Sequence, residues 1–578
     1  MENHQIAQLF EEVANVIRIL QDDPKWQFKA VAYERAKRSI ESYSERLEDI
    51  ARDPSRKLTD IPGVGTDFAA KIREILDTGK LQYLEEKFAK LPRSLLELLY
   101  IPTVGPQKVR LFHEKLGIKT LDDLEAAARE QRLRELGGMS AKSEENILRA
   151  IEGFKKGTGR FRLDTGYEVA ELLSQYLLEM IGVEKVTPAG SLRRGRETVG
   201  DLDLLVTGKN LEKVADQLLK RAPPAEVLAR GDDKVSFRLP SHMQVDVRML
   251  PPESFGAALM YFTGSKEHNV ALRARAQRQG LKLSEYGLYR GDEIVAGRTE
   301  EEVYQALGLP WIPPELRENM GEIEAAAEGR LPDLVELRDI CGDLQMHTTE
   351  SDGKKGVEEM AAAAKELGYK YILITDHSKA VTIANGLDET RARENIKRIR
   401  AARKKSPGIE IWAGAEVDIL GDGTLDYPDD LLAEFDIVLA SVHSRMTQPF
   451  DEMTSRLLKA LENPYVRILG HPTGRYIMRR DPMNFDVEAV FRSAKKHGVI
   501  MEVNASPERL DLSDRHARLA HDQGMKIVIS TDAHQPRHFM FMRYGVITAR
   551  RGWKEKKDVI NTYPPAKLLE SLRPLPRL

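Results

Sequence analysis

Between Gly190 and Val206 the chain reads GSLRRGRETVGDLDLLV, with Asp201 and Asp203 one residue apart inside an apolar run. On a β-strand that spacing turns both carboxylates to one face and Leu202 and Leu204 to the other. Paired carboxylates on one face suit a divalent cation. Just ahead, Gly190 and Ser191 offer a tight turn and a hydroxyl, and Arg193 and Arg194 offer guanidinium groups, a set suited to a polyphosphate. Metal and triphosphate together point to nucleotidyl transfer. A two-metal transfer calls for a third carboxylate, and Asp246 supplies it within Gln244-Val-Asp-Val-Arg-Met, which alternates like a strand. For a bare Asp-x-Asp the plain alternative is an exposed acidic strand end behind a basic loop.

The complete string Gly-Ser-x-Arg-Arg-Gly, then Gly-Asp-x-Asp, resembles the palm signature of family X DNA polymerases. Tyr261-Phe-Thr-Gly-Ser-Lys-Glu-His-Asn-Val-Ala-Leu-Arg273 resembles the stretch lining their nucleotide pocket. The resemblance implies Mg²⁺ or Mn²⁺ held by Asp201, Asp203 and Asp246. It places the triphosphate on Gly190, Ser191, Arg194 and Gly200, puts Gly264 in the same nucleotide pocket, and sets the incoming sugar beside Tyr261 and Phe262, where a ribose 2′-OH would be excluded. Asn269 would face the base edge and Arg273 the template minor groove. Lys266 stands where an acidic residue is expected, and a cation there could touch the triphosphate.

From Asp343 onward, short apolar runs each end in a potential metal ligand. They lead to His347 and Asp352, Asp376-His377, Glu416, His443, His471, Asn504, and Asp532-Ala-His534. Strands alternating with helices imply a parallel sheet, and ligands at successive strand ends imply an α/β barrel of about seven strands with its site on the C-terminal face. One histidine at a strand end is usually structural; many converging on one mouth are not. The run from Asp343 to Gly353, Thr-Asp-His377, Gly-His471-Pro and Asp532-Ala-His534 resemble motifs of the polymerase and histidinol phosphatase (PHP) family. That resemblance implies phosphoester hydrolysis with up to three Mn²⁺ or Zn²⁺ ions on His347, Asp352, His377, Glu416, His443, His471, Asp532 and His534. Gln345 takes the place of the first histidine of the usual His-x-His. An amide ligates more weakly than an imidazole, so one ion is expected to be missing or loosely held. An active hydrolase is the expectation, and a barrel whose metals serve only stability is the alternative.

These sites need positioning elements. Residues 1 to about 155 read as helical, and Leu58-Thr-Asp-Ile-Pro-Gly-Val-Gly-Thr and Tyr100-Ile-Pro-Thr-Val-Gly-Pro-Gln-Lys resemble helix-hairpin-helix motifs. Their glycines turn backbone N–H groups outward at a helix start, which suits a DNA phosphate without reading bases. Gly63, Gly65, Gly105 and Lys108 are the expected contacts, with Thr103 replacing a glycine in the second copy; Leu136-Gly-Gly-Met-Ser-Ala-Lys is a weaker third copy. Lys71 falls where a lyase lysine would form a Schiff base with an abasic sugar, although Asp67 beside it favours the protonated amine. The expected organisation is a helical lyase-like domain at 1–85, a fingers-like helical domain at 86–155, an α+β nucleotidyltransferase palm at 156–250, a thumb-like domain at 251–318, a linker at 319–338 and the barrel at 339–575.

The 578 residues suit several domains with real cores. Cys341 is the single cysteine, so no internal disulfide forms and a reducing setting is expected. No apolar run approaches a membrane span, and the expectation is a soluble, monomeric protein of the cytoplasm or nucleoid. A net charge of −3 gives no global pull toward nucleic acid, so DNA must be held by local basic and amide sites. Together these readings imply gap filling on primed or gapped duplex DNA with dNTPs, in base excision repair, with 3′→5′ trimming, abasic-site or 3′-end cleavage in the barrel. A non-templated nucleotidyltransferase is the alternative of another class.

Overall fold

In the computed structural model the described residues are all but 1–2, 44–46, 102–103, 157–158, 223 and 573–578, so Thr103 lies outside them. The chain forms two compact units, Met1–Arg160 and Phe161–Leu578. No helix among the described residues is long and apolar enough to cross a membrane.

The first unit is helical around one core. Helices α1 (Asn3–Leu20) and α2 (Trp26–Ser42) supply Phe10, Val13, Ile17, Tyr33 and Ile40, and α3 (Thr66–Thr78) and α4 (Pro106–Leu116) add Ile72, Ile75, Val109 and Phe112. Helix α3 ends on Gly79 and α4 on Gly117, both left-handed, the backbone state glycine adopts at least cost. The hairpin turns repeat one bonding pattern. Ile61 N–H donates to Leu58 and Val64 N–H to Ile61; forty residues on, Ile101 donates to Leu98 and Val104 to Ile101. The third copy is complete as well, with Leu136 donating to Leu133, Met139 to Leu136, and Gly138 at φ 81° where Gly63 has 80°.

After a helix over Leu163–Leu178, the second unit carries a five-stranded mixed sheet in the stretch expected to form the palm, the name used for it below. Its strands are β1 (Val183–Pro188), β2 (Asp201–Gly208), β3 (Glu226–Arg230), β4 (Lys234–Arg238) and β5 (Gln244–Leu250), in the order β1-β2-β5-β4-β3. Only β2 and β5 run parallel. Leu202, Leu204 and Val206 enter the palm core, which leaves Asp201 and Asp203 on the opposite face. Helices α5 (Phe255–Thr263) and α6 (Lys266–Arg278) follow, packed with a small three-stranded sheet. The 319–338 segment is no spacer: Ile323, Ala325 and Ala326 are in that same core, and buried Glu322 bonds His268 and the N–H groups of Asn319 and Met320. Its charge and alanine content hid an amphipathic turn with a fixed partner.

Seven parallel strands then follow in sequential order: β6 (Gly342–Asp343), β7 (Tyr371–Ile374), β8 (Glu410–Asp418), β9 (Ile437–Ser441), β10 (Val466–Leu469), β11 (Ile500–Asn504) and β12 (Ile527–Ser530). A parallel bridge between Met346 and Ala533 joins the segments that follow the first and last strands. Tyr371, Leu373, Trp412, Leu439 and Ile468 form one core cluster, while their alternating neighbours Ile372, Ile374 and Val438 pack in another with the surrounding helices. Helix α7 (Met542–Arg551) closes the barrel region.

Candidate active sites

In the palm the parallel register sets Asp203 opposite Asp246. Asp201 is exposed, Asp203 half-buried and Asp246 only 7% exposed. Burial, then the charges of Asp201 and Asp246, push the Asp203 carboxyl up to about 7. Burial would also raise Asp246, but bonds from Ser236, Gln244 Nε2 (2.9 Å) and Lys234 Nζ (3.0 Å) outweigh it and hold it low. Gly190 is required where it stands: its φ is 60°, and a Cβ would lie 2.5 Å from Asp203 Oδ2.

The arginines of this loop are anchored rather than loose. Arg193 is committed to a buried pair, both Nη atoms 2.7 Å from the Glu300 carboxylate, so its guanidinium is not the polyphosphate donor expected from the sequence. Arg194 donates through Nε to Glu318 at 3.1 Å and through Nη1 to the Thr263 carbonyl. Tyr261 and Phe262 pack edge-on at 5.1 Å, with the Arg248 guanidinium 4.2 Å over the Phe262 ring. Asn269 Nδ2 donates to the Tyr261 carbonyl at 2.6 Å while its buried Oδ1 has no protein partner. Lys266 and Arg273 are exposed on α6, Gly264 follows the last residue of α5, and Gly200 immediately precedes β2.

The barrel cluster is tighter. Its groups are His347, Asp352, His377 and His534; His377, Glu416 and His443; and His347, Glu416 and Asp532, each with one ligand atom per residue within 4.8 Å of the others. Glu416, fully buried, is the hub: Oε1 lies 2.7 Å from His471 Nε2 and 3.3 Å from His443 Nε2, and Oε2 lies 3.3 Å from His377 Nδ1 and 3.5 Å from His347 Nε2. His347 Nε2 is 3.0 Å from Asp532 Oδ1, and His534 Nε2 is 3.3 Å from Asp352 Oδ2. His471 and Asp532 both have positive φ, a strain that the surrounding fold must impose. Glu416 sits inside β8 and not at its end, because that strand runs on to Asp418.

Whether ions fit is decided by atoms the protein leaves unsatisfied. His347 Nδ1, His377 Nδ1, His471 Nδ1 and Glu416 Oε2 are buried without a hydrogen bond, and so many unpaired polar atoms in one cluster are costly unless cations fill the space. The donor set suits divalent ions. Gln345 is fully buried beside it; its Oε1 accepts from Asn504 Nδ2 at 3.4 Å and its Nε2 has no partner. Burial lowers the His377 imidazole to about 3. For His443 burial works the other way from the outcome: Glu416 and Asp418 overcome it and raise the ring to about 9.

Some site residues escaped the sequence reading. Asp418 Oδ1, 3.0 Å from His443 Nδ1, orients that ring; it lies two residues beyond Glu416 on the same strand, so period-two alternation could have found it. Arg509 is buried, its Nε 3.7 Å from Asp532 Oδ2 and its Nη1 without a partner, a cation available to a phosphate. No local pattern marks it.

In the helical unit Lys71 Nζ is paired with Asp67 at 2.5 Å and lies 5.7 Å from the centre of the Tyr83 ring. Gly65 and Gly105 are the residues on which α3 and α4 start, with Lys108 in the first turn of α4, and Gly63 turns back against Ser39.

Comparison with known proteins agrees with this layout. A helix-hairpin-helix domain matches residues 1–81, a SAM-like helix-hairpin-helix tandem residues 95–152, the DNA polymerase beta thumb residues 258–318, and the PHP domain residues 343–506. The chain is 38% identical over 565 residues, 97% of each chain, to the DNA polymerase/3′-5′ exonuclease PolX of Bacillus subtilis (strain 168). It is 27% identical over 349 residues to DNA polymerase lambda of Rattus norvegicus, covering 55% of this chain and 56% of that one. A probable phosphatase of Thermoanaerobacter sp. (strain X514) is 32% identical over 206 residues, 33% of this chain and 78% of the phosphatase. The chain belongs to the family X DNA polymerases that carry a C-terminal PHP domain.

Proposed function

We propose that the protein fills short gaps in DNA during base excision repair and trims 3′ ends with its barrel. The observation that carries both halves is two separated carboxylate sites in one compact unit: Asp201 and Asp203 facing Asp246 across β2 and β5, and the His/Asp/Glu cluster at the barrel mouth. The trimming half is also supported by the PolX relative, whose name includes a 3′-5′ exonuclease. Divalent ions, Mg²⁺ or Mn²⁺ in the palm and Mn²⁺ or Zn²⁺ in the barrel, would activate the attacking oxygen and offset charge on the leaving group.

In the palm, Asp201, Asp203 and Asp246 would hold those ions. Ser191, with the amides of Gly190 and Gly200, and Arg194 hold the triphosphate, with Lys266 reaching it from α6. Tyr261, Phe262 and Gly264 crowd the sugar, the open Oδ1 of Asn269 faces the base edge, and Arg273 meets the template. In the barrel, His347, Asp352, His377, Glu416, His443, His471, Asp532 and His534 would hold the ions, Gln345 weakening one position, and Arg509 would bind a phosphate oxygen. The hairpins at Gly63-Gly65 and Gly105-Lys108, with the third at Gly138, grip backbone phosphates of the duplex. Lys71 is the candidate lyase nucleophile, to be judged by borohydride trapping on a 5′-deoxyribose phosphate end.

Two single variants separate the sites. Asp203→Ala should abolish extension and keep shortening of a 5′-labelled primer; His377→Ala should do the reverse and lower metal content. Near wild-type extension by Asp203→Ala would sink the palm assignment. Undiminished shortening by His377→Ala would sink the barrel assignment.

A further inference from the structure

Helix α7 belongs to the barrel in sequence but is buried on two sides. Met542, Val546 and Ala549 lie in the barrel core, and Gly545 is pressed so close that a Cβ would stand 2.5 Å from Ile529 and 2.6 Å from Ala505. Arg543, Tyr544, Ile547, Arg550 and Arg551 follow the i, i+1, i+4, i+7, i+8 spacing of one helical stripe, and every one of them meets the palm or thumb. Arg543 pairs with Glu171 at 2.8 Å, Tyr544 joins the palm core, and Arg550 Nε donates to Glu315 at 2.7 Å. Ile547 fills the space beside Gly195, where a Cβ would lie 2.1 Å from its Cγ2.

Arg551 reaches furthest. It is 8% exposed, and its Nη1 donates to the Arg194 carbonyl at 2.7 Å and to Glu318 Oε1 at 3.0 Å, while Nε donates to Asp514 Oδ2 at 2.8 Å. Glu318 Oε1 also accepts from Arg194 Nε. One guanidinium thus joins the palm loop at its backbone, the thumb at Glu318 and the barrel at Asp514. Buried charge-assisted bonds of this kind are strong and directional.

We propose that Arg551 is a positioning residue for nucleotide binding: from the barrel domain it fixes the Gly190–Gly195 loop by holding the Arg194 carbonyl and Glu318 in register. This rests on the reading of that loop as the triphosphate site. Without the fork, the Arg194 carbonyl loses its side-chain donor and Glu318 keeps only the palm arginines, so the loop's amides and the Ser191 hydroxyl are no longer held in one arrangement. The barrel domain is then part of the polymerase nucleotide site, independently of any hydrolysis it performs.

The test uses the full chain on a one-nucleotide-gapped duplex, titrating the correct dNTP against wild type, Ser191→Ala, Arg551→Lys and Asp514→Asn. Arg551→Lys keeps the charge but not the fork, and should raise the dNTP KM on the order of tenfold. Asp514→Asn, the milder change, should raise it less and in the same direction. In both, kcat should stay within about twofold and the KM for gapped DNA should not move. If Ser191→Ala raises the dNTP KM while Arg551→Lys and Asp514→Asn leave it at the wild-type value, the brace is refuted and the loop reading stands. If kcat falls and the KM values for dNTP and DNA rise together, Arg551 serves only general folding and the proposal is overturned. A wild-type dNTP KM in Ser191→Ala removes the loop reading and the proposal with it.

Discussion

Replacing Glu300 should markedly destabilise the junction of the palm and thumb. Its carboxylate, on a residue 4% exposed, accepts from Arg193 twice at 2.7 Å, from Arg317 at 2.6 and 3.1 Å, and from Trp311 Nε1 at 2.9 Å. Arg317 is itself fully buried and Arg193 partly so, so Glu300→Ala leaves one guanidinium away from water without its carboxylate and a second with only its bond to Thr263 Oγ1. Breaking a buried pair by removing one partner costs about 3–5 kcal/mol, read as a lowered urea midpoint at neutral pH. Burial alone would raise the Glu300 carboxyl, but Arg317 and Arg193 outweigh it and hold it well below its ordinary value of 4.5. The folded state therefore binds fewer protons at this site than the unfolded one. The resulting stabilisation is complete above pH 4.5 and is lost as pH falls through the lower folded value. Glu300→Gln should accordingly lack that part of the acid slope as well as some neutral-pH stability. An alanine variant within about 1 kcal/mol of wild type, or a glutamine variant with an unchanged acid limb, would refute the reasoning.

Gln345→His should add about one bound Mn²⁺ or Zn²⁺ per chain by elemental analysis, since an imidazole ligates where the amide does not; an unchanged count would show that position 345 does not hold an ion. Asp418→Ala should weaken metal retention by roughly 10–100-fold in chelator competition, because His443 loses the carboxylate that orients its ring, and retention equal to wild type would contradict that role. Gly195→Ala should cost about 1–3 kcal/mol in thermal unfolding, from overpacking against Ile547 and a φ of 66°. A melting curve matching wild type would mean that α7 yields there.

Local patterns were legible wherever one element carried the whole signal. The alternation around Asp201 and Asp203 placed both on one strand face, and ligands after apolar runs foretold the seven-stranded parallel barrel. Where the signal is backbone geometry, sequence underrated it: Leu136-Gly-Gly-Met has the full hairpin turn of the Ile61 and Ile101 copies despite its weak resemblance. Where the signal is a distant partner, it was invisible. Arg193 reads as a phosphate donor until Glu300, 107 residues away, is seen to hold it, and the 319–338 stretch reads as a linker until His268 is found bonded to Glu322. Arg551 and the Arg194 carbonyl are 357 residues apart, and nothing local in either segment announces the other.

The most direct measurement follows a 5′-labelled primer in a one-nucleotide-gapped duplex, incubated with Mn²⁺ and the full chain, with and without dNTPs. A palm that transfers nucleotides and a barrel that hydrolyses phosphoesters should give extension by one nucleotide when dNTPs are present and shortening from the 3′ end when they are not. Extension without shortening would contradict the trimming barrel, and a primer left unchanged under both conditions would contradict the two-site reading altogether.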